Sequence, residues 1–368
     1  MQPAQSAPLT LPATLEQITA EWLSAALSTR FPGVVVRSVY FGTRIEGTGM
    51  KVRLLLDYND AGHAAKLPPT MWIKGALHDY GKNIRAAFER EALFYNDVAP
   101  LRIVTCPTGY FAAYDEQAGQ GIVLMEDLLA RHASFGDPVQ PASPQLVAHT
   151  LKMEAALHAR WWQNPDLVNF GERGGSLRQD GVIDRLMGEA SWNAAMSMSR
   201  TRGIPSPLRD RKRVLEAIHT MLAMNDRLPE CLLHGDPHLG NMYFLADGSV
   251  GFLDWQRMMR GPWIWDVAYT LCGFLSTADR RIHEKTLLTG YLSELAALGV
   301  RAPGFEEAWL LYQAQLFYGM VWSVVPPGTQ PEDVIESVCT RFALAIADHD
   351  AFGAVERLVL RGAAASPR

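Results

Sequence analysis

Hydrophobic residues change their spacing along the 368-residue chain. Apolar runs with the period of β-strands are concentrated in its first part, on either side of one helical segment. They predict strands over residues 34–42, 51–58 and 70–77, a helix over residues 83–99, and strands over residues 110–116 and 121–128. From residue 143 onward the helical period dominates, beginning with a long helix over residues 143–163 that starts at Ser143.

This order predicts an α+β fold of two lobes, because the chain also exceeds the size at which one hydrophobic core usually stops growing. The small, β-rich N-terminal lobe is expected over residues 1–127, with residues 1–13 disordered. The larger, mainly helical C-terminal lobe is expected over residues 128–368. A Thr-x-x-Gln capping signal at Thr14 and Gln17 predicts a helix over residues 14–28.

Charge and cysteine content restrict the classes of partner and the compartment. A net charge of -5 and a pI near 6.1 argue against binding to nucleic acid or to an anionic membrane. The four cysteines form no C-x-x-C pair, so buried, reduced thiols are expected. The first residues lack the basic and apolar regions of a signal peptide, which favours a cytoplasmic protein.

The most apolar segment, residues 308–325, is interrupted by Gln313 and Gln315 and ends before Pro326. A spanning helix needs about 20 predominantly apolar residues, so this segment predicts a buried helix and no membrane partner. No obligate protein partner is indicated.

The densest group of polar residues lies in Leu232–Gln256, which reads LLHGDPHLGNMYFLADGSVGFLDWQ. Asp247-Gly248 is typical of a two-residue hairpin turn, and a turn centred there would place Asn241 opposite Asp254. Asp236 lies in the bend just before the first strand. Two carboxylates and an amide in this arrangement suit Mg²⁺, with two groups holding the metal and the remaining carboxylate orienting a substrate hydroxyl. The segment therefore predicts phosphoryl transfer.

The His-Gly-Asp-x-His-x-x-Asn pattern at His234, Gly235, Asp236, His238 and Asn241, followed by Leu-Asp-Trp, resembles the phosphotransferases related to aminoglycoside kinases and choline kinases. These enzymes share the two-lobed protein-kinase-like fold. Within this group the sequence most resembles the ecdysteroid-kinase-like branch. It implies that Asp236 is the catalytic residue facing the acceptor hydroxyl and that Asn241 and Asp254 are Mg²⁺ ligands.

The same resemblance assigns residues for binding ATP. Lys74, on the third predicted strand, corresponds to the phosphate-binding lysine of the family, and Glu91 on the next helix is its expected partner. Glu89 is the competing choice for this partner, and helical spacing puts Glu89 and Glu91 on nearly opposite sides of the helix, so only one of them can face the lobe. The Gly-rich bend that contains Gly42, Gly47 and Gly49 is expected to cover the phosphates, although it departs from the protein-kinase pattern.

Residues 121–128 resemble the strand that enters the hinge between the lobes. Met125 would border the adenine pocket, and the backbone from Glu126 through Asp127 to Leu128 would bind adenine, with the side-chain charges there incidental. GTP remains an alternative donor, because such recognition uses backbone groups.

Three further polar residues are expected to support the catalytic loop rather than to perform chemistry. Asp266 and His234 are interpreted as structural supports, and His238 either as another support or as a group near the substrate. His158, on the predicted helix over residues 143–163, is interpreted as a core histidine.

The acceptor is predicted to be a small-molecule hydroxyl. The regions expected to form its pocket carry Trp, Tyr and Met without an excess of acids, which favours a neutral or partly apolar alcohol over an aminoglycoside. Two alternatives remain open from the sequence: a catalytically inactive nucleotide-binding protein of the same fold, and a metal-dependent phosphoesterase.

Overall fold

The computed structural model describes residues 9–47, 49–77, 85–171, 173–175 and 181–365, with only the backbone for residues 362–365. Its contacts divide the chain into two units: Met1–Ser134 with Phe244–Arg257, and Phe135–Tyr243 with Met258–Arg368. The predicted boundary after residue 127 is therefore seven residues too early. The prediction also missed the return of the segment after Tyr243 to the first unit.

The first unit is built on a five-stranded antiparallel sheet of order β1-β2-β3-β5-β4. Its strands are β1 (Val36–Ile45), β2 (Met50–Tyr58), β3 (Thr70–Gly75), β4 (Gly109–Asp115) and β5 (Gln120–Glu126). Its helices are α1 (Ala20–Ser28), α2 (Asp60–Ala64) and α3 (Arg85–Leu93). All five predicted strands are confirmed, and short α2 was missed.

One face of this sheet forms the core of the first unit. Alternate residues of a strand point to the same face. Val52, Leu54, Met71 and Ile73 thus pack in one cluster with Leu23 and Leu27 of α1. Leu11 joins this cluster and is only 9% exposed, so the prediction of disorder is wrong for residues 9–13. Residues 1–8 lie outside the described residues. The opposite face of β2 and β3 carries Lys51 and Lys74.

The Thr14–Gln17 capping signal does not start α1. It closes a single 3₁₀ turn at Leu15–Gln17, and α1 begins at Ala20 with the Thr19 hydroxyl accepting a hydrogen bond from the Trp22 N–H. The predicted helix over residues 83–99 is α-helical at Arg85–Leu93, π-helical at Phe94–Val98 and 3₁₀-helical at Ala99–Leu101. Residues 83 and 84 lie outside the described residues.

The second unit is mainly helical, as predicted. Its helices are α4 (Pro144–Arg160), α5 (Val182–Leu186), α6 (Glu189–Ser197), α7 (Arg211–Asn225), α8 (Ile264–Phe274), α9 (Thr277–Ala297), α10 (Phe305–Gln315), α11 (Glu332–Asp348) and α12 (Ala351–Ala365). Every residue of α8 is buried, so its single acid, Asp266, needs partners inside the protein.

Short strands complete the structure: β6 (Ser134–Phe135), β7 (Glu230–Leu233), β8 (Met242–Phe244), β9 (Val250–Phe252) and β10 (Met259–Pro262). β7 and β10 pair antiparallel in the second unit. The apolar segment over residues 308–325 is buried as predicted, although it is α-helical only to Gln315 and 3₁₀-helical over Leu316–Val324. No helix of the described residues is long and apolar enough to cross a membrane.

The prediction for the cysteines is confirmed: all four are free thiols, with Cys231, Cys272 and Cys339 buried and Cys106 half-buried. Burial, with a smaller contribution from the charge on Glu126, raises the pKa of Cys106 to about 12.

Candidate active site

A buried lysine with two carboxylates lies on the sheet face of the first unit that is opposite its apolar core. Lys74 Nζ is 2.8 Å from Glu91 Oε1 and 2.8 Å from Asp254 Oδ1. The Lys74 and Glu91 side chains are each 3% exposed, whereas Glu89 is exposed to solvent. The structure therefore pairs Lys74 with Glu91, as predicted, and adds Asp254 as a second partner.

The two carboxylates keep the lysine charged. Burial alone would lower the pKa of Lys74, but the neighbouring charges of Asp254 and Glu91 outweigh burial and raise this pKa. The ammonium group is therefore a fixed positive charge on the sheet.

Asp254 is held in place by aromatic packing. The adjacent Trp255 is fully buried and stacks on Phe94 with ring centroids 3.8 Å apart, and Phe252 contacts Trp255 edge-on. Asp254 adopts a left-handed backbone conformation with φ 59°. Such conformations in residues other than glycine cluster at functional sites, where surrounding structure stabilises them.

The turn before Asp254 differs from the prediction. The Gly248 N–H donates to the Leu245 carbonyl at 3.0 Å, and the Leu245 N–H donates to the Ser249 carbonyl at 2.9 Å. Ala246 and Asp247 are therefore the central turn residues, and Gly248 follows with φ 85°. This is a three-residue loop with a glycine bulge, so the predicted two-residue turn is wrong by one residue. The turn no longer implies that Asn241 lies opposite Asp254.

The two glycines of the bend between β1 and β2 have different surroundings. A Cβ atom on Gly49 would lie 2.9 Å from Phe88 Cε1 of α3, so the bend packs closely there. Gly47 is exposed, and the nearest atom to a Cβ on it would be 3.9 Å away. A Cβ on Gly42 would lie 3.3 Å from Leu55 Cδ1. Thr48, between the two glycines, lies outside the described residues.

The predicted hinge segment uses its polar groups for structure. The Glu126 N–H donates to the Thr108 carbonyl at 2.8 Å, so this N–H is not available to a base. Glu126 also accepts from the Thr108 N–H and pairs with Arg131. Met125 is half-buried, and its sulfur accepts from the Tyr95 hydroxyl at 3.7 Å.

The side chain of Asp127, with a charge interpreted as incidental to base binding, has a structural role in the first unit. Its buried carboxylate accepts hydrogen bonds from Arg53 Nε at 2.7 Å, Trp72 Nε1 at 3.0 Å and the Leu129 N–H at 3.1 Å. Burial acts to raise the pKa of Asp127, but hydrogen bonds from Thr70, Arg53 and Trp72 hold it below its ordinary value. Buried Leu128 then begins a 3₁₀ turn.

In the second unit, Asp266 of α8 makes the contacts expected of a structural support for the Asp236 loop. Its Oδ2 accepts from the His234 N–H at 2.7 Å, and its Oδ1 accepts from the Gly235 N–H at 3.0 Å. Gly235 has φ 81°, a conformation that glycine adopts at little cost. One carboxylate thus satisfies two consecutive backbone donors immediately before Asp236.

The rest of this loop is closed by local hydrogen bonds. The Asp236 carbonyl accepts from Asn241 Nδ2 at 2.9 Å and from the His238 N–H at 2.8 Å. His238 Nδ1 accepts from the Gly240 N–H at 3.1 Å, and His234 Nδ1 from the Asp236 N–H at 3.3 Å. Both histidines therefore make supporting contacts, and the Asp236 side chain remains partly exposed.

His158 is a core histidine, as interpreted. Its side chain is fully buried, its Nδ1 lies 2.7 Å from the Tyr291 hydroxyl, and its Nε2 lies 3.5 Å from Asp266 Oδ2. A proton on Nε2 suits the carboxylate, so the Tyr291 hydroxyl donates to Nδ1.

Sequence reasoning missed two residues near Lys74. Lys51 Nζ lies 4.0 Å from Asp254 Oδ2, and Trp72 lies two residues before Lys74 on the same strand face. The period-2 pattern could have placed both residues on the Lys74 face. Their proximity to Lys74 and Asp127 depends on strand pairing, which the pattern does not give.

The fold agrees with a solved kinase structure. An ethanolamine kinase from Plasmodium vivax superposes with a TM-score of 0.51 at 14% identity, covering 83% of this chain and 81% of that one. At this identity the likeness concerns the fold alone, which is protein-kinase-like. A choline kinase from Streptococcus pneumoniae has a TM-score of 0.49 at 14% identity, covering 89% of this chain and 98% of that one.

Residues 82–309, more than half of the chain, match the model of the phosphotransferase enzyme family. The chain belongs to this family. A homoserine kinase from Methylorubrum populi is 28% identical over an alignment of 121 residues that covers 30% of this chain and only 36% of that protein. The resemblance to the family is thus confirmed, whereas the ecdysteroid-kinase-like branch stays a prediction.

Proposed function

We propose that the protein is an ATP- and Mg²⁺-dependent kinase that transfers the γ-phosphate to a hydroxyl of a small molecule. The observation that carries this proposal is the buried Lys74, held by Glu91 and Asp254 at 2.8 Å each. A permanently charged ammonium beside a partly exposed carboxylate provides what a nucleotide phosphate and its metal need. Family membership gives no support to the phosphoesterase alternative.

Asn241 and Asp254 are the proposed ligands of Mg²⁺, and their donor atoms fit that ion. Asn241 Nδ2 donates to the Asp236 carbonyl, which leaves the amide oxygen, a hard donor, for the metal. The Asp254 carboxylate is 27% exposed, so an ion can approach it. A bound Mg²⁺ would neutralise charge on the transferred phosphate.

Asp236 is the proposed catalytic residue. It orients the acceptor hydroxyl and takes its proton as transfer proceeds, and Asp266, His234 and His238 hold its loop in place. Lys74 binds the donor phosphates, and Glu91 keeps its side chain in position. Gly47 and Gly49 belong to the bend proposed to cover the phosphates.

The nucleoside is proposed to bind beside Met125. Since the Glu126 N–H is already used by Thr108, the base would contact the Glu126 carbonyl and the backbone of Asp127 and Leu128. These uncharged backbone groups do not distinguish ATP from GTP by charge. The donor preference is measured by comparing the affinities of ATP and GTP.

For the acceptor we propose a neutral or partly apolar alcohol. Trp265, Tyr269 and Tyr318 are buried and pack on one another in the core. Half-buried Trp322 is different, because its ring lies 6.2 Å from that of His238 in the Asp236 loop. An aromatic surface beside this loop favours an acceptor with an apolar part.

The test is calorimetric titration of ATP, with and without Mg²⁺, on the wild type and on Asp254→Ala. We expect Mg²⁺-dependent binding that Asp254→Ala abolishes and that the control Asp57→Ala, an exposed acid of the same unit, retains. Absence of ATP binding by the wild type would overturn the proposal.

A panel of alcohols then identifies the acceptor by release of ADP. It includes homoserine, choline, ethanolamine, neutral aromatic and aliphatic alcohols, and polycationic aminoglycosides. We expect Asp236→Asn to lose transfer and keep nucleotide binding. A wild type that binds ATP and phosphorylates none of the panel would favour the inactive nucleotide-binding alternative, and preference for polycations would refute the proposed acceptor class.

A further inference from the structure

A second lysine stands directly opposite Lys74 in the sheet. In the β2–β3 register Lys51 pairs with Lys74, so the two side chains lie on the same face. Like charges placed directly opposite each other on a sheet destabilise it. This placement therefore needs a negative group near both ammonium ions.

The described carboxylates lie closer to Lys74 than to Lys51. Lys74 Nζ makes hydrogen bonds of 2.8 Å to both Glu91 and Asp254. Lys51 Nζ lies 4.0 Å from Asp254 Oδ2, which is too far for a hydrogen bond. Lys51 thus feels the charge of Asp254 and keeps its N–H donors for another acceptor.

The two lysines also differ in access. The Lys51 side chain is 37% exposed, whereas that of Lys74 is 3% exposed. A ligand on this face meets the Lys51 ammonium without displacing the buried ion pair. Lys51 also follows the Gly-rich bend by two residues, and Gly49 fixes that end of the bend through its close packing on Phe88.

We propose that Lys51 is a second phosphate-binding residue, which contacts the outer phosphates of the nucleoside triphosphate together with Lys74. This inference rests on the proposed function, because it assumes that the first unit binds a nucleotide. The ligand chemistry follows from the charges: the β- and γ-phosphates of a nucleoside triphosphate offer anionic oxygens to two neighbouring ammonium ions, whereas AMP lacks both of these phosphates.

The test compares the affinities of ATP, ADP and AMP for the wild type, Lys51→Met and Lys51→Arg, by calorimetry. Loss of a charge-assisted hydrogen bond predicts that Lys51→Met weakens ATP binding about 10-fold or more and AMP binding less than about 2-fold. Lys51→Arg should restore most of the ATP affinity. Lys152→Met removes a lysine from the second unit that is 66% exposed, and it should change nothing.

Thermal unfolding of the same variants separates ligand binding from structure. Because Lys51→Met removes a like-charge neighbour of Lys74, it should unfold at the wild-type temperature or above. Unchanged ATP affinity, or equal losses for ATP and AMP, would overturn the inference while the kinase proposal stands. A wild type that binds no ATP would overturn the proposed function and this inference with it.

Discussion

Replacing Asp266 by asparagine tests how the Asp236 loop is held. The fully buried carboxylate accepts from two backbone N–H groups, of His234 at 2.7 Å and Gly235 at 3.0 Å. Asparagine keeps one acceptor oxygen and points an NH₂ group at the other donor. Loss of one charge-assisted hydrogen bond in a buried site costs about 3 kcal/mol. With a urea slope of about 2 kcal/mol per molar, the unfolding midpoint should fall by about 1.5 M.

The midpoint is measured by urea unfolding followed by tryptophan fluorescence. Asp184→Asn serves as the matched control, because the Asp184 side chain is 58% exposed and its ion-pair partner His219 is also exposed, and it should shift the midpoint by less than about 0.3 M. Where an acceptor is known, Asp266→Asn should also lower kcat about 100-fold, because the loop that carries Asp236 moves. Equal midpoints for Asp266→Asn and the wild type would refute the reasoning.

Three other changes have expected outcomes. Burial, followed by the charge on Asp266, raises the pKa of Glu154 well above normal. The folded state therefore holds a proton that the unfolded state releases, and wild-type stability should fall as pH rises above about 4.5. Between pH 5 and pH 9 the urea midpoint of Glu154→Gln should change less than that of the wild type. The same pH dependence in both proteins would contradict this. Gly49→Ala should destabilise the protein by about 1–3 kcal/mol in thermal unfolding, because its Cβ would crowd Phe88. Gly47→Ala adds a Cβ that is not crowded and should be nearly neutral. Equal changes in unfolding temperature for the two variants would contradict the described packing. Asp127→Ala should lower the free energy of unfolding in urea by about 2–4 kcal/mol, because Arg53 and Trp72 lose their hydrogen-bond acceptor. A decrease of less than about 0.5 kcal/mol would contradict these contacts.

The pairing of Lys74 with Glu91 shows how far sequence patterns reach. The family resemblance assigned Lys74 and Glu91 as partners, and helical spacing showed that only one of Glu89 and Glu91 can face Lys74; the structure has the Lys74–Glu91 ion pair at 2.8 Å. The patterns failed at the turn before Asp254, where the glycine bulge moves the turn by one residue. A dipeptide such as Asp-Gly fits either of two turn types, and the strands on both sides decide between them.

The sequence by itself determined the order of strands and helices, the apolar face of each, and the motif around Asp236, because these depend on residues close together in the chain. The tertiary structure decided which distant residues meet. Strand register placed Lys51 opposite Lys74, and burial brought Asp127 to Arg53, 74 positions away. A buried charge is stable only with a partner nearby. The spacing of residues along the sequence does not show which distant residue that partner is.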